Sequence, residues 1–187
     1  MPLGIATAGL VAPGQPVADG TARVLAERGL ELPAPGGGGA GSASAHRSRK
    51  LTADLVDWAD LVLGMTRQHV RSAVLLRPAA FRRSFTLREL VARAHELGSR
   101  PNEVPLADWL GAAHDGRTAA DYLRDEPGDD IGDPIGRPIG AFRALADELD
   151  VLTGRLVDLV LAGTGGAGAA GDADRDPAAG SAHLFDT

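Results

Sequence analysis

The fold is set by the stretch Asp60-Leu61-Val62-Leu63-Gly64-Met65-Thr66 of this 187-residue chain. Its apolar part is short and tightly bounded by Asp60 and Thr66, which is typical of a strand buried on both faces. Thr66 then opens a helix that continues through Val74 and must end before Pro78. A buried strand followed at once by a helix indicates a parallel sheet wrapped by helices.

The same alternation repeats toward the C-terminus. Residues 84–86 are predicted as a second short strand, and Thr86-Leu87-Arg88-Glu89 is a capping box that opens a helix to about Leu97. Softer patterns predict short helices around Trp109 and Tyr122. A last helix should cover one face of the sheet, because its apolar residues step by three and four: Phe142, Leu145, Leu149, Leu152, Leu156 and Leu159.

The pattern toward the N-terminus is weaker. Residues 4–10 are a strand candidate rich in small residues, and the helix after them ends at Gly29, where a left-handed cap is expected. Thr52 can cap a short helix through Trp58. The expected fold class is α/β, a short parallel sheet with helices on both faces, which binds ligands beyond the carboxyl ends of its strands.

Length and composition fit one domain. At 44% hydrophobic residues the chain can bury a single core, which we place at residues 4–163. Residues 35–45 are nearly all Gly, Ala and Ser and are predicted to be a surface insertion. Residues 164–187 have a similar composition and are predicted to be a disordered tail.

Charge and residue usage exclude several classes of function. A net charge of −6 argues against a nucleic-acid partner, since phosphate backbones require surplus Lys and Arg. The N-terminus has no basic and apolar leader and no long apolar run follows, so we expect a cytoplasmic protein without a membrane partner. The five histidines show no ligand spacing, and two Gly-x-Gly-x-x-Gly matches connect no strand to a helix, so neither metal nor cofactor is predicted.

The most informative motif is the acidic, proline-punctuated stretch Asp129-Asp130-Ile131-Gly132-Asp133-Pro134-Ile135-Gly136-Arg137-Pro138. Taken alone, Asp133-Pro134 before a helix is more typical of a turn or cap than of a catalytic acid. The segments that precede it in the chain favour the catalytic acid.

Four of those segments resemble the low-molecular-weight protein tyrosine phosphatases, and they occur in the family's order. They are Thr7-Ala8-Gly9-Leu10, Arg23-Val24-Leu25-Ala26-Glu27-Arg28-Gly29-Leu30, His46-Arg47-Ser48-Arg49-Lys50-Leu51-Thr52 and Ala59-Asp60-Leu61-Val62-Leu63-Gly64-Met65-Thr66-Arg67-Gln68-His69. Asp133-Pro134-Ile135-Gly136 then falls where the family keeps its Asp-Pro loop. The resemblance extends from about Gly4 to Leu161.

The resemblance implies both a fold and a reaction. Family members have a four-stranded parallel sheet with helices on both sides and hydrolyse phosphotyrosine in proteins through a phosphocysteine intermediate. A loop with a Cys, five residues and an Arg holds the phosphate, since its backbone N–H groups and the Arg stabilise negative charge. The aspartic acid of the Asp-Pro loop protonates the phenolate leaving group. By resemblance, Asp133 is this general acid.

The sequence departs from the family at the nucleophile. It contains no cysteine, and only Met1-Pro2-Leu3 precede the segment that matches the second strand, so the first strand, the phosphate loop and the first helix are missing. We therefore expect no phosphatase activity from this chain. A wrongly assigned start at Met1 is favoured over a truncated or decayed relative, because Asp133-Pro134 does not look eroded. The alternatives are a non-catalytic interaction module and, last, a relative of arsenate reductases, which require reducing cysteines.

Overall fold

The computed structural model describes residues 4–11, 13–30, 32–33, 40–41, 47–122 and 127–161. Most of the Gly-rich stretch at 35–45 and the whole tail at 164–187 lie outside the described residues, so the insertion, the disordered tail and the domain bounds of 4–163 stay predictions.

The elements alternate as the sequence predicts over the middle of the chain. In chain order they are α1 (Asp19–Glu27), β1 (Leu32–Pro33), β2 (Ala40–Gly41), α2 (Ala53–Trp58), β3 (Val62–Gly64), α3 (Arg67–Leu76), β4 (Ser84–Thr86), α4 (Leu87–Leu97), α5 (Leu106–His114) and α6 (Ile139–Leu161). Short 3-10 helices add the segments Pro78–Arg83, Ala119–Tyr122 and Pro127–Asp129.

The central sheet is parallel, as predicted. β3 pairs with β4 in the register Val62 to Ser84, Leu63 to Phe85 and Gly64 to Thr86. All residues of β4 are buried, as expected for a strand covered on both faces. Among the described residues this sheet has two strands, where the family resemblance implies four, and β1 and β2 form a separate antiparallel pair.

Hydrophobic clusters cover both faces of the sheet, because successive strand residues point to opposite sides. The smaller cluster unites Val62 of β3 with α2, α3 and the following turn through Val56, Ala73 and Ala80. The larger cluster contains Phe85 of β4 and buried residues of the last three helices, namely Leu87, Leu90, Val91, Ala94, Trp109, Leu110, Ala113 and Leu156. The core therefore lies mainly on the α4, α5 and α6 side.

Local signals explain where the helices begin and end. The Thr86 hydroxyl accepts the Glu89 N–H while the Glu89 carboxylate accepts the Thr86 N–H, so α4 has the predicted capping box. Gly29 follows α1 with φ of +64°, the left-handed conformation that glycine adopts without strain. The apolar stripe of α6 packs against the cluster that contains Phe85 of β4 and residues of α4, and α6 also contacts α1. The face of the sheet that α6 is predicted to cover is therefore covered by α6 together with α4.

The weak strand candidate at residues 4–10 does not form a strand. Its ladder is limited to a bridge between Gly9 and Lys50, in which the Gly9 N–H donates to Arg49 O at 2.8 Å and Leu51 N–H to Gly9 O at 3.0 Å. Ile5 is 79% exposed. An apolar side chain that finds no buried face contributes little to holding a strand in register, which accounts for the wrong prediction.

Candidate functional site

The predicted acid, Asp133, lies on a loop anchored at one end of the sheet. We call residues 129–137 the acid loop. Ile131 is 4% exposed, and its N–H donates to the carbonyl oxygen of Met65, the residue directly after β3, at 2.8 Å. The acid loop therefore starts at the carboxyl end of β3, where parallel sheets bind ligands.

Asp133 sits in a tight turn and is exposed to solvent. Its Oδ1 accepts the N–H of Ile135 at 2.9 Å, and the carbonyl of Pro134 accepts the N–H of Arg137 at 2.9 Å. Gly136 closes the turn with φ of +79°, a conformation that disfavours side chains. The turn interpretation is thus correct, and the same turn leaves the Asp133 side chain exposed at the surface.

Arg67, the first residue of α3, holds the beginning of the acid loop. Its N–H donates to Oδ1 of Asp130 at 2.8 Å, and its guanidinium Nε donates to Oδ2 of Asp129 at 3.2 Å. The guanidinium also donates to the carbonyl of Asp121. Sequence reasoning missed this contact, because Arg67 and the two carboxylates are more than 60 residues apart and no local pattern relates them.

His69 lies beside the same anchor. Its Nδ1 is 2.7 Å from the hydroxyl of Thr66, and both side chains are half-buried. Burial lowers the pKa of His69 from its usual value, while the Asp130 carboxylate opposes that shift. The imidazole is therefore neutral at pH 7 and serves as a hydrogen-bond partner at the start of α3.

A surface groove of about 390 Å³ runs beside the acid loop. One wall comes from the acid loop and the start of α6, and the other from the N-terminal turn of α1. It is lined by Ala18, Asp19, Gly20, Arg23, Ile135, Gly136, Arg137, Ile139 and Phe142. The groove thus combines apolar side chains with the guanidinium groups of Arg23 and Arg137 and the carboxylate of Asp19, and it reaches the acid loop at Ile135, two residues after Asp133.

The described residues form no cluster of three or more His, Asp or Glu side chains able to hold a metal ion. Over the same ranges no helix has the length and apolar content needed to cross a membrane.

Solved structures of known proteins match the fold of this chain, although no protein-family model matches the chain and no curated protein matches its sequence. The YwlE arginine phosphatase from Geobacillus stearothermophilus is 29% identical, with a TM-score of 0.50 over 79% of this chain and 66% of that chain. A low-molecular-weight protein tyrosine phosphatase from T. tengcongensis is 25% identical, with a TM-score of 0.52 over 81% of this chain and 74% of that chain.

A more distant match shares the fold alone. Wzb from Vibrio vulnificus, solved in complex with benzylphosphonate, is 18% identical, with a TM-score of 0.51 over 82% of this chain and 77% of that chain. The chain spans about two thirds of the length of the YwlE protein that it matches. With an α/β fold, a short parallel sheet and these phosphatases as neighbours, the chain resembles the low-molecular-weight protein tyrosine phosphatase family.

Proposed function

We propose that this chain carries the general-acid part of a phosphatase site, with Asp133 as the acid. The observation that supports this role is the exposed carboxyl group of Asp133 on a loop held at the carboxyl end of β3. The fold around it is shared with an arginine phosphatase and a tyrosine phosphatase that are 29% and 25% identical to the chain.

The proposed role of Asp133 is to protonate the leaving group. When the P–O bond of an aryl phosphate breaks, the electron pair stays on the phenolic oxygen, whose conjugate acid has a pKa of about 10. A proton delivered by a nearby carboxyl group lets this oxygen leave as a neutral phenol, which typically accelerates the step by about 10²–10⁴-fold. We propose phosphotyrosine in a cytoplasmic protein as the substrate.

The nucleophile has to come from elsewhere, because the sequence contains no cysteine. A phosphocysteine intermediate cannot form on these 187 residues, and we propose that the chain alone does not hydrolyse phosphate esters. The first test is an aryl phosphatase assay of the purified chain beside its Asp133→Asn variant. Neither should release phosphate above background. Turnover by the chain that Asp133→Asn abolishes would show that the proposed inactivity is wrong.

The second test uses an N-terminally extended protein that contains the nucleophile. The DNA upstream of Met1 is translated in frame, and we expect an apolar strand followed by a Cys, five residues and an Arg. The extended protein should hydrolyse phenyl phosphate, and Asp133→Asn should lower its kcat by about 10²–10⁴-fold. The loss should be smaller for p-nitrophenyl phosphate, whose leaving group needs less protonation. Asp108→Asn, which removes an exposed carboxylate in the first turn of α5, is the matched control and should leave kcat unchanged.

Two outcomes contradict the proposal separately. The absence of any such upstream segment rules out a wrongly assigned start, and equal rates for the extended protein and its Asp133→Asn variant rule out Asp133 as the acid. Phosphotyrosine and phosphoarginine peptides should be compared in the same assay, because one structural neighbour is an arginine phosphatase. Faster hydrolysis of the phosphoarginine peptide would contradict the proposed substrate class.

A non-catalytic interaction module is the second candidate. It is favoured by exposed apolar side chains near the N-terminus and the sheet, since Ile5 is 79%, Val11 73% and Trp58 58% exposed. Exposed apolar side chains mark interaction surfaces or aggregation sites where they form a contiguous patch. Sedimentation of the purified chain separates the two cases: a stable monomer that binds a partner saturably supports the module, whereas concentration-dependent aggregation argues against it.

A further inference from the structure

The acid loop is fastened to the sheet by two sets of contacts that meet at Arg67. We call Arg67, Asp129 and Asp130 the clasp. The guanidinium of Arg67 is paired with Asp129, and their side chains are 11% and 30% exposed. The backbone N–H of Arg67 binds the carboxylate of Asp130 at 2.8 Å. One residue on, Ile131 is tied to Met65, so three consecutive loop residues are held where β3 ends and α3 begins.

The clasp also completes the N-terminus of α3. A helix leaves its first N–H groups without partners in the helix, and the residue before it usually caps one of them. Thr66 makes no such cap with its side chain, because its hydroxyl lies 2.7 Å from His69 Nδ1. The Asp130 carboxylate takes the place of the cap, and a negative charge there also interacts favourably with the helix dipole. The helix and the acid loop therefore stabilise each other.

We propose that Arg67 is a positioning residue for Asp133, which rests on the proposed function of Asp133 as the acid. Asp133 is two residues beyond the last anchored residue, Ile131. Two residues of extended chain span at most about 7 Å, so the anchored end limits how far the Asp133 carboxyl group can travel. Without the clasp, Ile131 still holds the acid loop through its buried side chain and its backbone hydrogen bond to Met65, and Arg88 still donates to the carbonyl of Gly128 directly before the loop.

The position of Arg67 is itself fixed by contacts with the 3-10 helix Ala119–Tyr122. Its guanidinium lies over the ring of Tyr122, with 5.6 Å from Cζ to the ring centroid, and it donates to the carbonyl of Asp121. The Tyr122 hydroxyl in turn contacts the Glu89 carboxylate in the buried part of the molecule. The position of the clasp is thus set by the core and not by the exposed surface of the loop.

The test measures loop order in the chain as it is and requires no turnover. Amide hydrogen exchange is followed by NMR for the wild type, Arg67→Ala, Arg67→Lys and Arg77→Ala. Arg77 is the matched control, because it follows the other end of α3 and pairs with Asp57 on the surface. In Arg67→Ala the amides of Ile131 and Ile135 should exchange about 10- to 100-fold faster, in line with the loss of charged hydrogen bonds.

A second readout separates positioning from general stability. The three-bond couplings of the Asp133 side chain should report one fixed rotamer in the wild type and an averaged one in Arg67→Ala. Arg67→Lys, which keeps the charge but loses the planar fork, should fall between them. Arg77→Ala should change neither the loop amides nor these couplings. Amides of α4, such as those of Leu90 and Val91, should exchange as in the wild type in all folded variants.

Three results would overturn the role of Arg67. These are unchanged exchange at Ile131 and Ile135 in Arg67→Ala, an equal acceleration across α4, or unchanged Asp133 couplings. If Arg67→Ala does not fold, Asp129→Asn removes only the charged partner of the guanidinium and should accelerate the same two amides. An unchanged loop in that variant then counts against the proposal. Equal hydrolysis rates for the extended protein and its Asp133→Asn variant contradict the acid role of Asp133 without bearing on loop order, so the two ideas can fail independently.

Discussion

Ion pairs stabilise two regions of this molecule, and they are buried in one region and exposed to solvent in the other. Beneath the acid loop, the Arg117 side chain is 1% exposed and is paired with Glu89, which is 12% exposed. Where α1 rests on α6, Arg143 and Glu27 form a pair at 2.7 Å with side chains 45% and 36% exposed. A buried charge cannot leave its partners without a large desolvation cost, whereas an exposed charge exchanges its partner for water. The buried pair therefore fixes the relative positions of its side chains more strongly than the exposed pair does.

The buried network unites several elements at one point. The Arg117 guanidinium donates to Glu89 at 2.8 Å, to Ser84 O at 2.6 Å and to the Tyr122 hydroxyl, and it lies 3.9 Å from the centroid of Phe85. Burial raises the pKa of Tyr122, with its hydrogen bond to Glu89 adding to the shift, so its hydroxyl remains a donor. The sheet, α4 and the turn beneath Arg67 are thus tied to one another.

The largest expected effect comes from breaking this network. Arg117→Ala should lower the free energy of unfolding by about 3–5 kcal/mol, because it removes the least exposed charged partner of the largely buried Glu89 carboxylate and the donor to the buried Ser84 carbonyl. Urea denaturation measures the change. Arg93→Ala is the matched control, since Arg93 also pairs with Glu89, at 3.3 Å, but is 32% exposed. It should cost less than about 1 kcal/mol. Equal costs for the two variants would contradict the distinction between the buried and exposed regions.

An intermediate effect is expected where α1 meets α6. A Cβ placed on Gly20 would lie 2.6–2.7 Å from ring carbons of Phe142, so Gly20→Ala should push the helix and the ring apart. We expect a net loss of about 1 kcal/mol, because the gain in helix propensity offsets part of the overpacking. Gly154→Ala in α6 has no atom within 4 Å of its new Cβ and should stabilise by about 0.5–1 kcal/mol.

Thermal denaturation of both glycine variants tests the contact directly. Opposite signs for Gly20→Ala and Gly154→Ala support the packing of α1 on Phe142. A similar rise in melting temperature for both would show that Gly20 is unobstructed and that α1 does not rest on α6 in this way.

Much of the buried region could be predicted from the sequence, because its signals are local. The compact apolar run within residues 60–66 indicates β3, residues 84–86 are predicted as the second strand, and the capping box at Thr86 marks the start of α4. Gly29 and Pro78 mark helix ends for reasons of backbone conformation alone. These predictions are confirmed.

The rest depends on contacts between distant segments. The pairing of Arg67 with Asp129 and of Arg117 with Glu89 joins residues 62 and 28 positions apart, and periodicity carries no information about such partners. Residues 4–10 failed as a strand because strand formation depends on neighbours, and Ile5 finds no buried face. The turn at Asp133 was predicted, whereas its catalytic role stays a prediction.

The smallest effect is expected from the exposed pair that holds α1. The hydrogen bond from Arg143 lowers the pKa of Glu27 from 4.5 to about 2, with Arg23 contributing less. Because the folded-state pKa lies below the unfolded one, the pair stabilises the fold above about pH 4.5, and this contribution is lost as the pH falls toward 2. The free energy of unfolding should therefore rise with pH across this window, slightly less steeply in Arg143→Gln than in the wild type.

NMR titration of the Glu27 carboxyl carbon checks this final prediction site by site. In the wild type the midpoint should lie near pH 2, and Arg143→Gln should move it back toward 4.5. The shift should also shrink in high salt, since both side chains are exposed and surface pairs are screened. A wild-type midpoint near 4.5 would mean that Arg143 does not hold Glu27 in solution. The arrangement of α1 on α6 would then depend on the contact between Gly20 and Phe142 and on the pairs of Arg28 with Asp147 and Asp150.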